Sequence, residues 1–137
     1  MTRSDDGGTA RGQSLVELAL VLPIFLVIIV GLFDFGRAIY AANTIGNAAR
    51  VATRVAIVDQ NEATVRQAAV DAAVGVSLEP SDVVVSYSCT DRIVVCSASV
   101  GITTQYVAAT PLIHQIVGMI TLTADSEMPI ERLYISP

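Results

Sequence analysis

From Leu18 to Phe33 the chain has no charged residue and is almost wholly apolar. Leu15, Val16 and Phe35 bring this stretch close to the ~20 residues that a membrane-spanning helix needs. Pro23 lies in its first half, where a helix loses one hydrogen bond; spanning helices accommodate this, usually with a kink. The next segment, FGRAIYAANTIGNAARVATRVAIV from Phe35 to Val58, is rich in alanine and favours helix. Asn43, Asn47, Arg50 and Arg54 recur at helical spacing as a polar stripe, and Ile39, Ala42, Ile45, Ala49 and Ala52 form an apolar side. The pattern predicts one helix from about Ser14 to Val58, roughly 65 Å long, with one half in lipid and the other carrying a head.

Beyond Val58 the pattern changes twice. Asp59 and Glu62 read as a capping box that opens a second helix running to about Val74, with Val65, Ala69 and Ala72 inward. Gly75 ends it, and Pro80 closes the following loop. A two-residue period then sets Val83, Val85, Tyr87 and Cys89 against Asp82, Val84, Ser86 and Ser88. It resumes with Val94, Cys96, Ala98, Val100 and Ile102 against Ser97, Ser99, Gly101, Thr103 and Gln105. Thr110-Pro111 opens a short helix that Gly118 closes, and Ile120, Leu122 and Ala124 mark a last strand reaching Asp125. The expected fold class is α+β: a long N-terminal helix covering a small antiparallel sheet with short helices.

Other readings of the apolar run are weaker. A buried core helix needs more surrounding chain than 137 residues supply. A cleavable secretory signal has a shorter apolar core, and Gly36-Arg37-Ala38 is a poor cleavage site. Arginines flank the run on both sides, so loop charge does not orient it. Ala38, Ala42, Gly46 and Ala49 form a seam of small side chains open to two readings, packing on the chain's own head or against other subunits. Asp34 and Arg37, three apart, stand as an ion pair or as two independent interfacial charges.

Composition narrows the function. Of the residues, 53% are apolar and 15% charged, and the formal charge is −5. No basic cluster is present, which argues against nucleic-acid binding. Cys89 and Cys96 fall on the apolar sets of adjacent strands and suggest a disulfide outside the cytoplasm, the alternative being two buried thiols. Metal-ligand spacing is absent, so neither a metal nor a cofactor is expected. His114, the single histidine, reads as a solvated helix residue, and no phosphate loop or serine elbow appears. The chain is not expected to be an enzyme.

The junction before the span carries the remaining signal. A hydrophilic leader ends at Arg11-Gly12, Gln13-Ser14-Leu15-Val16 follows, and Glu17 stands at the mouth of the apolar helix, five positions after the glycine. A lone carboxylate one turn inside a bilayer costs several kcal/mol unless it is paired or protonated, so about this much must be offset. At an interface, the helix dipole alone favours it. The string RGQSLVELALVLPIFLVIIVGLFDFGR resembles the TadE-like family of the tight-adherence (Tad) pilus system, and its start resembles a type IV-class prepilin. The resemblance is strong over residues 11–50 and loose over the strands.

That resemblance implies cutting by a prepilin peptidase between Gly12 and Gln13. The freed α-amine of Gln13 and the Glu17 carboxylate would then enter charge pairing during assembly with other pilin-like subunits. It also implies Tad membrane platform proteins as partners, beside membrane lipid. Major pilins of the system are very short, so a chain with a full head suits a minor subunit or assembly factor. The organisation expected is a leader over 1–12, a long helix over 13–58 with its membrane half at about 15–36, and an extracytoplasmic head over 59–137. The rival reading is a single-span, membrane-tethered module whose sheet binds a surface ligand.

Overall fold

The computed structural model describes residues 7–90, 95–111, 114–115 and 118–130. Leader residues 1–6, Val94, and positions 112, 113, 116 and 117 of the expected third helix lie outside them.

Helix α1 spans Gly7–Ala56, fifty residues with Pro23 inside. It begins before the expected Ser14, so the Gly12–Gln13 bond lies within helix rather than at its edge. The reason is cooperative: no proline precedes Leu22, and extending an existing helix is far easier than nucleating one. Its C-terminal end closes through Val58 and Asp59 N–H groups, both donating to Val55 O at 3.0 and 2.8 Å.

That closure shifts the next cap. Asp59 is still occupied with finishing α1, so helix α2, Glu62–Ala72, is capped by Asn61 instead, whose Oδ1 accepts from Ala63 N at 2.9 Å. Asp59 Oδ1 accepts from Asn61 N at 3.0 Å and shapes the turn. Glu62 begins the helix and pairs with Arg66 at 3.1 Å rather than reaching back to a cap. After α2, Gly75 turns the chain with φ +80°, and the Tyr40 ring lies 3.4 Å from where a Cβ would stand. Tyr40 Oη donates to Val74 O at 3.2 Å, fastening this turn to α1. Pro80 starts a 3-10 turn, Pro80–Asp82, rather than merely ending the loop.

Strands β1 (Val83–Thr90), β2 (Val95–Val107) and β3 (Met119–Ile130) form an antiparallel meander in that order. Val83 faces Ile102, which faces Ala124; Cys89 faces Cys96, which faces Ile130. The last strand runs five residues past the expected Asp125. Ser126, Met128 and Ile130 keep the inward alternation opposite Val100, Ala98 and Cys96, and Pro129 is tolerated because β3 is an edge. On the outer face, hydroxyls pair across β1 and β2, Ser86 with Ser99 at 3.1 Å and Ser88 with Ser97 at 2.9 Å.

The core lies between the upper half of α1, helix α2 and the inner face of the sheet. Ile45, Ala48, Ala49, Ala52 and Ala56 meet Val65 and Ala69 on one side and Val83, Val85, Ala98, Val100 and Ile102 on the other. Alanine on α1 lets the sheet approach the helix closely, and the larger Ile45 and Val65 fill the remaining space. Each of these two contributes about 1.5–3 kcal/mol by full burial. Thr53, also buried, places its Oγ1 2.7 Å from Ala49 O and 3.2 Å from Ser126 O, linking α1 to β3.

The buried stripe of α1 is rotated from the expected one. Ala41, Ile45, Ala48, Ala49, Ala52 and Ala56 are buried, whereas Ile39 and Ala42 are exposed. At about 100° per residue Ile39 lies roughly 160° round from Ala41 and cannot share its face. Asn43, Asn47, Arg50 and Arg54 are all exposed, as the polar stripe requires. Of the small-residue seam, Ala49 is in the core, Ala38 and Gly46 are half-buried, and Ala42 is exposed.

Candidate functional site

The lower half of α1 is a bare apolar rod. The helix has a window of mean hydropathy 2.9, and none of that window is buried within the chain. Leu18, Leu20, Ile24, Phe25 and Phe33 are each more than half exposed. A core helix of a soluble protein would be covered, so this one is long and apolar enough to cross a membrane and uncovered enough to need a non-aqueous surrounding.

At the lower end Gly12 and Gln13 are neighbours on the helix and Glu17 lies about one turn further on, all exposed. Apart from its chain neighbours and the helix's own backbone, no described atom stands within 4 Å of the position a Gly12 Cβ would take. Glu17 lies next to the uncharged run and about 26 Å along the axis from Asp34, the next charged residue.

At the upper end the arrangement differs from the expected Asp34–Arg37 pair. Asp34 is only 6% exposed. Its Oδ2 accepts the Thr110 N–H at 3.2 Å, and its backbone carbonyl accepts the Tyr106 hydroxyl at 3.2 Å. Arg37 is exposed and pairs with no carboxylate; among the described residues the ion pair is Glu62–Arg66. Of the two readings left open by spacing, the pair is therefore the one the structure overturns. Asp34 is instead the acceptor that fixes the lower rim of the head to the helix. One signal could have found it: Asp34 is in phase with Ala41, Ala48 and Ala52 on the face that carries the head.

The cysteines meet as expected, with Cys89 and Cys96 joined in a disulfide. Cys96 is buried and Cys89 exposed, so the bridge closes the β1–β2 hairpin at the margin of the core. His114 is exposed, and its backbone N–H donates to Thr110 O at 2.9 Å. Among the described residues no cluster of three His, Cys, Asp or Glu side chains could hold a metal ion. Tyr87 is inward, as the alternation predicts, but sequence reasoning did not foresee that its hydroxyl has no hydrogen-bond partner among the described residues. Burial raises its pKa above 10.0, helped by the negative charges of Glu62 and Asp59.

What the described residues offer is a placement of apolar surface and charge. It is a greasy rod with an acid at its mouth and a head clamped at its exit. No curated protein and no solved structure matches the chain significantly. Residues 12–54, which make up the rod and the first part of the head's core and end before α2, match the family model described as TadE-like protein, and over this segment the chain is similar to that family.

Proposed function

We propose that the chain is a pseudopilin-like minor subunit or assembly factor of a Tad-type pilus or secretion machine, and not an enzyme. The observation that carries this reading is the exposed apolar rod with Glu17 at its mouth, inside the TadE-like segment. Other pilin-like subunits would cover the rod, and the Glu17 carboxylate would meet an α-amine freed by prepilin peptidase between Gly12 and Gln13. The functional division is then a removable leader over 1–12, an assembling helix over 13–58 and a head over 59–137 placed outside the cytoplasm. The disulfide supports that side of the membrane, since such bridges persist in oxidising compartments. Because α1 begins at Gly7, the peptidase must unwind its first turns to reach the bond. Gly7, Gly8 and Gly12 ease this, each disfavouring helix by about 1 kcal/mol.

N-terminal sequencing of the native protein tests the reading. A start at Gln13 in cells with the peptidase, and an uncut chain in cells lacking it, is the expected result. A start at Met1 or Thr2 in both sinks the processing step. Glu17→Ala is expected to block pilus assembly and co-purification with the membrane platform. Normal assembly with that variant favours the alternative, a membrane-tethered module whose serine-rich outer sheet face binds a surface ligand.

A further inference from the structure

We infer that the junction of α1 and β2 at the membrane exit binds one anionic phospholipid, with its phosphate on Arg37 and an acyl chain in the apolar cleft beside Tyr106. This rests on the reading of α1 as membrane-spanning, and it names a ligand for the upper end of that span.

The first argument is level. Glu17 and Arg37 bracket the apolar run, and twenty residues of helix separate them by about 30 Å, the thickness of a bilayer's hydrocarbon core. With Glu17 at one boundary, Arg37 stands in the opposite headgroup layer. It lies about 60° round from Asp34, on the side of α1 that carries the head.

The second is the chemistry of the cavity there. A hollow of about 430 Å³ opens between α1 and the head, with Arg37, Tyr40, Ser77, Gln105 and Tyr106 in its wall. Small-ligand pockets typically run from roughly 300 to 1,000 Å³. Arg37 has no hydrogen-bond or ion-pair partner among the described residues, so its planar fork of donors is available. That fork matches two phosphate oxygens. Tyr40 and Tyr106 already donate their hydroxyl hydrogens to Val74 O and Asp34 O, leaving Arg37, Ser77 and Gln105 to supply donors to an anion.

The third is a neighbouring cleft of opposite character. A hollow of about 230 Å³ is walled by Gly31, Phe35, Ala38, Tyr106 and Ile120, with Asp34 also at its edge. The Asp34 carboxyl there is already bonded to Thr110 N–H. Gly31 lies within the uncharged run, so this cleft faces the hydrocarbon. Tyr106 is a wall of both hollows. A hollow of mixed lining that carries a guanidinium and polar donors at headgroup level, beside an apolar one at acyl level, matches a molecule with an anionic head and a hydrocarbon chain. Free phosphate would use only the first hollow.

The test uses the full chain, purified in non-ionic detergent and weighed by native mass spectrometry after exposure to phosphatidylglycerol or phosphatidylcholine. Phosphatidylglycerol should be retained about five-fold over phosphatidylcholine, the effect of roughly one interfacial charge contact. Arg37→Gln should erase that preference, while Arg50→Gln, on the exposed stripe above the interface, should keep it. Ala38→Phe, which fills the apolar cleft, should reduce retention of both lipids. Equal retention of the two lipids by the unaltered chain overturns the proposal, as does a preference that survives Arg37→Gln. Complete displacement by millimolar inorganic phosphate overturns it too, by assigning the cationic hollow to a soluble anion. Alkaline carbonate washing of cell membranes separately tests the spanning helix: release of the chain would sink the membrane reading itself, whatever lipid it retains.

Discussion

Tyr106 donates its phenolic hydrogen to the backbone carbonyl of Asp34 at 3.2 Å, so β2 is tied to α1 where the apolar run ends. The Asp34 carboxylate accepts Thr110 N–H from the chain that follows β2. Asp34→Ala should therefore lower head stability by about 1–2 kcal/mol, since a charge-assisted hydrogen bond is lost. Asp34→Asn keeps an oxygen acceptor and should lose about half as much. Thermal unfolding in detergent reads the difference, and faster proteolysis within residues 108–118 should accompany it. An unchanged melting temperature for Asp34→Ala would refute the clamp.

The close approach of sheet and helix makes the alanine face intolerant of size. Ala52→Leu adds three carbons at a fully buried position and should destabilise by about 1–3 kcal/mol. Asn47→Leu, on the exposed stripe, should change stability by less than about 0.5 kcal/mol. Denaturant titration of the two variants distinguishes them.

Reduction of Cys89–Cys96 should cost about 2–3 kcal/mol, because the bridge closes a short loop in the unfolded chain. Melting with and without a thiol reductant measures this. The Cys89→Ser, Cys96→Ser double variant should melt at the reduced temperature and show no response to reductant.

Tyr87 makes the head sensitive to alkali. Its folded pKa is raised by burial, then by Glu62 and Asp59, so the native state holds this proton more tightly than the unfolded chain does. Its contribution is fully present below about pH 10, the unfolded value, and is lost as pH rises through the folded value. Tyr87→Phe should flatten that part of the stability profile. At neutral pH it should leave stability unchanged or raise it by up to about 1 kcal/mol, since the hydroxyl it removes has no partner. A steep alkaline loss persisting in Tyr87→Phe would assign the effect to another group.

Much of this fold is legible in the sequence because each element carries its own period. The uncharged run, the serine–valine alternation of β1 and β2, and the cysteine pairing all follow from local pattern. Less legible are features set by contacts distant in sequence. Which flank of α1 is buried depends on where the sheet lands, and an alanine-rich helix offers several small faces that differ little in hydrophobicity; hence Ile39 and Ala42 fall outside the core. Asp34 reads as a surface charge beside Arg37 until Thr110, seventy-six residues away, supplies its donor. The cap of α2 moves from Asp59 to Asn61 because α1 claims the Asp59 N–H first. For the candidate site, the glycine–glutamate spacing and span stand in plain view, whereas the paired hollows around Tyr106 arise only when β2 and α1 come together.

Helix α1 is both the rod below and the floor of the head, with no proline between Ile24 and Ala56. A push on the rod's lower end is thus transmitted upward without a joint to absorb it. Sliding the rod by one turn, about 5.4 Å, lifts all three strands by the same distance, and twisting it swings the serine-lined surface about the same axle.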